Sequence, residues 1–127
     1  SLKGAVKENY KMAKIKLTET QTNGIIQKML EQVGCFVWRS NTGGFMSGGH
    51  YRRYGLVGSS DIIGIAPDGK FIAVENKCNG EPLSEKQKAF QNEIESRGGY
   101  SFVIRSVEEI DKLRRDLCGL LVDGVLR

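Results

Sequence analysis

The sequence predicts a mixed α/β fold in which helices flank a mixed β-sheet. A capping box of the form S/T-x-x-E/Q opens each of three segments with helical apolar spacing, at Thr18, Ser84 and Ser106. Two apolar runs flank the Pro-Asp-Gly turn signal at 67–69, which is typical of an antiparallel hairpin. The order helix, strand, strand, strand, helix, strand, helix places a helical crossover before the last strand, and this favours a mixed sheet.

The composition indicates one globular domain. The chain has 127 residues, of which 39% are hydrophobic and 27% charged, and its net charge of +4 favours a polyanionic partner. Its cysteines, Cys35, Cys78 and Cys118, form no CxxC pair, and His50 is the single histidine, so we expect free thiols rather than a zinc site. No apolar stretch reaches membrane-spanning length and no signal peptide is visible, so we expect a cytoplasmic protein without membrane contact.

The predicted elements follow from these signals in chain order. A lysine-rich extension is expected over 1–16, with Met12 as a possible internal start, and the domain over 17–127. The first helix should run from Thr18 to about Gln32 and end at Gly34. Further predicted elements are a strand at 35–40, a long glycine-rich loop at 41–60, hairpin strands at 61–66 and 70–77, a helix at 84–97, a strand at 100–105 and a helix from 106 to about 118. The predicted apolar stripe of the first helix is Ile25, Ile26, Met29, Leu30 and Val33.

The turn at 67–69 sets the register of the predicted hairpin. Its residues suit a type I turn followed by a left-handed glycine, which is a common three-residue hairpin loop. In this register Asp61 lies opposite Glu75 on one face, with side-chain bases about 5 Å apart. Lys77 lies on that same face, about 7 Å further along the strand. Two carboxylates and an ammonium group therefore meet at the end of an apolar hairpin.

This charge cluster favours a metal site. Like charges so close repel, and each costs free energy to bury, whereas a divalent cation between them removes both problems. Glu19 lies seven residues before Ile26, on the core-facing side of its helix. Two roles are open to it: a carboxylate aimed at the cation, or a first-turn acid that is stabilised by the helix dipole. Its inward position favours the first role. Gln87 shares a face with Phe90 and Ile94 and either points into the site or only closes its capping box.

The predicted loop at 41–60 contains candidate nucleic-acid contacts. Interleaved arginine and tyrosine can pair with phosphates and stack on bases. The alternative, which we weigh equally, is a solvated loop whose tyrosine rings cover the edge of the core. The glycines of this loop have neither GK[ST] nor a strand–GxGxxG–helix context, so no nucleotide cofactor is expected. The four residues concerned are Tyr51, Arg52, Arg53 and Tyr54.

These residues resemble the PD-(D/E)XK nuclease superfamily, with Asp61 as the first acid and 75–77 (Glu-Asn-Lys) as the triplet. The pattern D…ExK alone is weak, but more of the chain is similar to one family, the virus-type replication-repair nuclease (VRR-NUC) domain, in its small stand-alone phage and prophage form. The similar segments run in the family's order from about 18 to 112: Thr18-Glu19, 38–43, 58–64, 67–69, Leu83-Ser84 with Gln87, and 105–108.

The resemblance implies a restriction-endonuclease-like core and metal-dependent hydrolysis of DNA phosphodiester bonds. Branched DNA, such as a Holliday junction or a flap, is the implied substrate, and Mg²⁺ or Mn²⁺ the implied cofactor. Lys77 is expected to orient or help deprotonate the attacking water, and Gln87 to orient that water or Lys77. The expected metal ligands are Asp61, Glu75, Glu19 and the backbone carbonyl of Asn76. Further expected DNA contacts in the similar segments are Arg39, Asn41, Ser59 and Ser60.

Two positions depart from the family pattern. Asn76 stands where the family has an apolar residue. By strand alternation its side chain points away from Glu75, and a buried amide without partners costs about 1–3 kcal/mol. Thr22 stands where the family helix has an aliphatic residue. Neither departure removes an expected catalytic group.

The resemblance also leads to expectations about assembly and alternatives. Symmetric junction resolution needs two cuts, so a homodimer is expected, formed through the apolar tail after Leu117. A strict monomer favours flap or nicking activity instead. The competing class is a catalytically inactive DNA-binding module of the same fold. RNA cleavage and nucleotide hydrolysis have less support. The expected location is the cytoplasm of a bacterium or phage-infected host.

Overall fold

The computed structural model of the protein describes residues 16–41 and 43–122, so nearly all of the predicted extension and the last residues of the apolar tail lie outside the described part. The described residues form a mixed sheet flanked by helices, and this confirms the predicted fold class. The elements are α1 (Glu19–Gln32), β1 (Phe36–Arg39), β2 (Gly43–Ser47), β3 (His50–Tyr54), β4 (Ile62–Ile65), β5 (Phe71–Asn76), α2 (Glu85–Ser96), β6 (Tyr100–Ile104) and α3 (Val107–Val122).

The main sheet has four strands in the order β1-β4-β5-β6. The pairs β1–β4 and β4–β5 are antiparallel, and β6 runs parallel to β5 after the crossover through α2. Helices α1 and α3 pack on each other and on the sheet, while α2 packs on β5 and β6. Adjacent residues of β5 contact different helices, Glu75 reaching α2 and Asn76 reaching α1, so the two helices lie on opposite faces.

Helix α1 begins where the sequence predicts. The Gln21 N–H donates to Thr18 Oγ1 (3.1 Å) and the Thr18 N–H donates to Gln21 Oε1 (2.9 Å), so both bonds of the capping box form. The helix ends at Gln32, and Gly34 follows with φ of +95°. The predicted stripe is wrong at Ile25, which is exposed beside the groove between α1 and α3. The stripe residues that enter the core are Ile26, Met29 and Leu30, with Val33 packed against it.

The register predicted for the hairpin β4–β5 is confirmed. Ile62 pairs with Val74. At the turn, the Ala66 N–H donates to the Lys70 carbonyl and the Gly69 N–H donates to the Ala66 carbonyl, each at 2.8 Å. Gly69 has φ of +87°, the left-handed conformation that the turn requires.

The predicted loop at 41–60 is wrong in one respect, because it contains a second antiparallel hairpin, β2–β3. Ser47 pairs with His50, and the two residues between them, Gly48 and Gly49, both have positive φ. Two such residues suit the tight turns whose twist matches that of the strands. Most residues of these strands are exposed, so the sequence carried no apolar alternation to reveal them.

Helix α3 is longer than predicted, since it continues past Cys118 to Val122. The Glu109 N–H donates to Ser106 Oγ (3.4 Å), as the capping box predicts. The Glu109 carboxylate, however, accepts from the Arg105 N–H (2.9 Å), one residue earlier than in the standard box. In the part of the chain that the structure describes, no helix is long and apolar enough to cross a membrane.

Candidate active site

Two carboxyl groups meet at the open end of the hairpin β4–β5. Asp61 lies just before β4, and its Oδ2 accepts a hydrogen bond from the Asn76 N–H (2.7 Å). This bond holds Asp61 beside the end of β5, where its carboxyl also interacts directly with that of Glu75. The Ser40 N–H, at the end of β1, donates to the Asp61 carbonyl (2.8 Å) and fixes the backbone at this point. The structure therefore brings Asp61 and Glu75 together as the register predicts.

Glu75 lies in an environment that disfavours its charge. Its side chain is 4% exposed, and in the described part of the chain its Oε2 is buried without a hydrogen-bond partner. Burial, followed by the adjacent Asp61 carboxyl and its negative charge, raises the pKa of Glu75 to about 8. The charge of Lys77 acts in the opposite direction, and Glu19 adds a smaller repulsion. The site is therefore short of positive charge.

Lys77 is nearly buried, with 8% exposure, next to this pair. Its backbone N–H donates to the Ile104 carbonyl (2.7 Å), which fixes the chain as it leaves β5. Lys77 and Glu75 do not form an ion pair, although the Lys77 charge lowers the Glu75 pKa. A simple structural ion pair therefore does not account for this buried lysine.

Gln87 fulfils both alternatives that the sequence left open. Its Oε1 accepts from the Ser84 N–H (2.9 Å) and its N–H donates to Ser84 Oγ (3.1 Å), which completes the capping box of α2. At the same time its Nε2 donates to Glu75 Oε1 (3.3 Å). One side chain therefore fixes the start of the helix and orients a carboxylate of the site.

Asn76 points to the opposite face from Glu75, as strand alternation predicts, and its amide has partners. Its Nδ2 donates to Asn23 Oδ1 (3.1 Å), and its Oδ1 accepts from the Cys78 N–H (3.1 Å). Asn23 is fully buried on α1, and the sequence analysis did not single it out. The available signal was a polar residue on the buried side of α1, opposite the unusual Asn76. Thr22, the other departure from the family, is also satisfied, because its hydroxyl donates to the Thr18 carbonyl (3.0 Å).

Glu19 is not part of the carboxylate pair. It is exposed at the first turn of α1 and lines a cavity of about 530 Å³ together with Asn76 and Arg105. Among residues 16–41 and 43–122, no group of three or more carboxylate, histidine or cysteine side chains comes together to hold a metal. The structure therefore unites two of the three expected carboxylates, because helical periodicity gives the side of a helix but not the distance from its end to the sheet.

The loop that carries Asp61 lies against the helix that carries Gln87. Gly58 has φ of +89°, and a Cβ added there would lie 2.6 Å from the Lys86 carbonyl oxygen. A side chain at this position would push the loop and α2 apart. The close approach therefore requires glycine, and it sets the distance between the loop that carries Asp61 and the helix that carries Gln87.

The chemistry of this site fits a divalent cation. Two facing carboxyl groups and a buried, unpartnered carboxylate oxygen provide hard oxygen ligands. Burial and the neighbouring Asp61 carboxyl raise the pKa of Glu75, and a bound cation would supply positive charge that favours its ionised form.

Residues 49–108 match the family model described as the VRR-NUC domain. This segment is a VRR-NUC domain. The match contains the carboxylate pair, Lys77 and Gln87, whereas Glu19 and Arg39 lie outside it. VRR-NUC domains form a nuclease family, so the substrate class of the domain is DNA. Searches of curated proteins and of solved structures gave no significant match.

The predicted DNA contacts of the VRR-NUC domain lie on the second hairpin and beside the site. Tyr51, Arg52 and Arg53 are exposed on β3, with the Arg53 guanidinium 6.0 Å from the centre of the Tyr51 ring. The alternative that tyrosine rings cover the core is wrong for Tyr51, since its ring faces solvent. Tyr54 is the last residue of β3. As DNA contacts, these four residues stay predictions.

The other four predicted contacts have different environments. Arg39 is half-buried, and in the described part its Nε has no hydrogen-bond partner. Asn41 is exposed, and Ser59 shares a hydrogen bond with the Ser40 hydroxyl (2.9 Å). Ser60 is fully buried, which does not fit a residue that touches DNA. Its place next to Asp61 instead makes it part of the packing beneath the site.

Proposed function

We propose that this VRR-NUC domain is a metal-dependent endonuclease that hydrolyses phosphodiester bonds of branched DNA. The observation that carries the proposal is the pair of facing carboxyl groups, Asp61 and Glu75, with an unpartnered carboxylate oxygen and Lys77 beside it. The family supplies the reaction class, and the chemistry of the pair supplies the metal requirement.

The residues that would hold Mg²⁺ or Mn²⁺ are Asp61, Glu75 and the backbone carbonyl of Asn76. A bound ion supplies polarisation of the scissile phosphate and a lower pKa for a bound water. Glu19 contributes from further away, through its negative charge. The Asn76 N–H and the Gln87 amide keep the two carboxylates in place, so the ligands are arranged before the ion binds.

Lys77 acts on the reacting groups directly. The residue is only 8% exposed, and at such a partly desolvated position a positive charge offsets the negative charge that develops on the phosphate more strongly than in water. It also holds the attacking water by hydrogen bonding. Residues contributed by β5, by the loop before β4 and by α2 thus surround one reacting phosphate.

The preference for branched DNA and a homodimer belongs to the same proposal. The described domain contains one such site, whereas symmetric cutting of a junction needs two, and a dimer supplies the second. The contact surface proposed for the dimer includes the end of α3 after Leu117. Sedimentation at micromolar concentration measures the assembly. A strict monomer would replace junction resolution with flap cutting or nicking.

The decisive experiment compares wild-type protein with Asp61→Asn on labelled four-way junction, flap, duplex and single strand, with Mg²⁺, Mn²⁺ or EDTA. We expect cutting of branched DNA with either metal, and none with EDTA or with Asp61→Asn. The matched control is Asp68→Asn, which changes a carboxylate on the same hairpin at its far end and should retain activity. A folded Asp61→Asn protein that still cuts DNA refutes the proposal. Calorimetry with Mn²⁺ separates the inactive DNA-binding alternative, which predicts no stoichiometric binding.

A further inference from the structure

Strand β1 exposes two aromatic side chains that the proposed reaction does not use. Phe36 is 70% exposed and Trp38 is 42% exposed, although both belong to a strand of the main sheet. Their ring centres are 5.6 Å apart and their planes are inclined by 57°. Exposed aromatic residues at neighbouring positions of one strand face are costly to leave in water unless they have a binding partner. We name these two residues the aromatic platform.

The aromatic platform lies on the same face of the sheet as the candidate active site. Trp38 pairs with Ile63 of β4, and Ile63 pairs with Ala73 of β5, two residues before Glu75. Residues directly opposite in a sheet share a face, and so do residues two apart in one strand. Val37 points the other way and is buried in the core. The platform and Glu75 therefore face the same space.

The platform is close enough to the site to contact the same DNA strand. Ser40 lies beside Asp61, and Trp38 is two residues from Ser40, about 7 Å along β1. Counting two strand spacings across the sheet, Trp38 lies roughly 12 Å from Glu75. This span corresponds to one or two nucleotides of an extended strand. On this face α2 packs on β5 and β6, and the exposed Ile65 next to Phe36 shows that β4 is uncovered at this end.

We propose that the aromatic platform stacks on an unpaired base of the DNA substrate, one or two nucleotides from the phosphate that is cut. The inference rests on the proposed function and specifies its substrate class. Every base has a flat apolar face that stacks on aromatic side chains, and in duplex DNA these faces are already occupied by neighbouring base pairs. A branch, a flap, a frayed end or a single strand offers a free base to this surface, whereas a fully paired duplex does not.

Charge and area favour DNA over a second copy of the chain. The hairpin β2–β3 is inserted between β1 and β4, at the end of the sheet where Asp61 lies, and it carries Arg52 and Arg53 in exposed positions. These charges attract the phosphates of a strand whose base lies on the platform. Two aromatic side chains bury at most about 500 Å². A stable protein interface needs about 800 Å² from each partner.

The sequence provides a direct reporter, because Trp38 is the single tryptophan of the chain. We would titrate Asp61→Asn protein, in EDTA, with a flap that carries five unpaired thymidines and with a blunt duplex of equal length. Stacking predicts strong quenching of the tryptophan fluorescence by the flap and little quenching by the duplex. Because this measurement needs no cleavage, it stands or fails separately from the proposed nuclease activity.

Substitutions then test the platform residue by residue. Phe36→Leu should weaken flap binding about tenfold, equal to about 1.4 kcal/mol, and should leave duplex binding unchanged. In the active protein the same variant should raise KM for the flap without lowering kcat. Ile65→Ala is the matched control, since it removes exposed apolar surface from the same face without removing a ring.

Four results would overturn the inference. Equal quenching by flap and duplex would remove the requirement for an unpaired base. A Phe36→Leu protein with unchanged flap affinity, or an Ile65→Ala protein with an equal loss, would replace stacking with general hydrophobic contact. If Phe36→Leu instead converted a dimer to a monomer in sedimentation, the surface would be an interface between two copies.

Discussion

The part of the chain that the structure describes contains two antiparallel hairpins, β4–β5 and β2–β3, which differ in burial and in the side chains they present. The strand β5 runs through the centre of the main sheet, and the chain is almost completely buried from Ile72 to Lys77, the residue after the strand. The hairpin β2–β3 forms a separate two-stranded sheet whose side chains are mostly exposed. The first hairpin holds the charged groups of the candidate site, and the second presents arginine and tyrosine to solvent.

The buried hairpin β4–β5 positions the groups of the candidate site, whereas the exposed hairpin β2–β3 carries predicted DNA contacts. In β4–β5, the burial of β5 and of Ile62 and Gly64 fixes the register, so Asp61 and Glu75 can be held together despite their repulsion. In β2–β3 the turn at 48–49 favours the hairpin, and most side chains of its strands are exposed instead of packed in the core. Substitutions should therefore affect folding in the first hairpin and DNA binding in the second.

The largest expected effect is on stability, from a glycine of the buried hairpin. A Cβ at Gly64 would lie 2.1 Å from the Phe36 carbonyl oxygen, so Gly64→Ala forces β1 away from β4. We expect a loss of about 3 kcal/mol in the free energy of unfolding, measured by urea denaturation. Gly48→Ala is the counterpart, because open space surrounds Gly48 and the cost is only its positive φ, about 1 kcal/mol. Equal losses would mean that the two hairpins are equally integrated in the fold.

The second prediction concerns the pH dependence of stability without metal. The folded-state pKa of Glu75, about 8, is above the unfolded value of 4.5, so protonated Glu75 favours folding. That contribution is fully present below pH 4.5 and is lost as the pH rises through 8. In EDTA, wild-type protein should therefore lose stability over this range, whereas Glu75→Gln should not, and the variant should be more stable at pH 9 by on the order of 2 kcal/mol.

The measurement is urea denaturation of both proteins at pH 5, 7 and 9. Addition of Mn²⁺ should reduce the loss in wild-type protein only, because a cation favours the charged carboxylate. Arg52→Gln, on the exposed hairpin, should follow the wild-type curve in EDTA. If the free energy of unfolding changed equally with pH in wild type and in Glu75→Gln, the folded state would not disfavour the charged form of Glu75.

The third prediction moves to the exposed hairpin and to DNA affinity. The double variant Arg52→Gln/Arg53→Gln should bind branched DNA about tenfold more weakly near 0.1 M salt. The slope of log affinity against log salt concentration should fall by the amount expected for the loss of roughly two phosphate contacts. Its stability should stay within about 0.5 kcal/mol of wild type, since both side chains are exposed. The control Arg97→Gln/Arg115→Gln removes the same charge from the position after α2 and from α3. If the control weakens binding equally, net charge rather than the hairpin explains the affinity.

These two hairpins also show what sequence can and cannot predict. The register of β4–β5 followed from a turn signal and apolar runs, and the carboxylate pair followed from the register. The hairpin β2–β3 was missed because its strands bury little, so no periodicity marks them. Asn23 was missed for another reason. Its role as the hydrogen-bond partner of Asn76 depends on the packing of α1 against β5, which the local sequence does not reveal. Glu19 was expected on the core-facing side of α1, but it is exposed at the first turn, because the distance of a helix end from the sheet depends on helix packing that no local pattern contains.

The smallest expected effect lies at the turn of the buried hairpin, far from the site. Tyr100 Oη donates to Asp68 Oδ2 (2.6 Å) and so ties the turn to β6. Burial, then the hydrogen bond to Asp68, raises the pKa of Tyr100 to about 12. For Asp68, burial acts upward, but the bonds from Tyr100 and the Lys70 N–H outweigh it and lower the pKa below 3.8. Because the groups are near solvent, Tyr100→Phe should cost only about 0.5–1 kcal/mol at neutral pH.

The pH dependence of the stability lost in Tyr100→Phe tests whether the hydrogen bond to Asp68 causes the loss. Asp68 has a lowered pKa in the folded state, so its contribution is present above pH 3.8 and is lost as the pH falls further. Tyr100 has a raised pKa, so its contribution is present below pH 10 and is lost as the pH rises through about 12. The difference between wild type and Tyr100→Phe should therefore be constant from about pH 5 to 9 and shrink on either side. The phenylalanine ring keeps the contacts with Lys70 and Phe102, so a difference that persists at pH 3 would assign the effect to ring packing instead of the hydrogen bond.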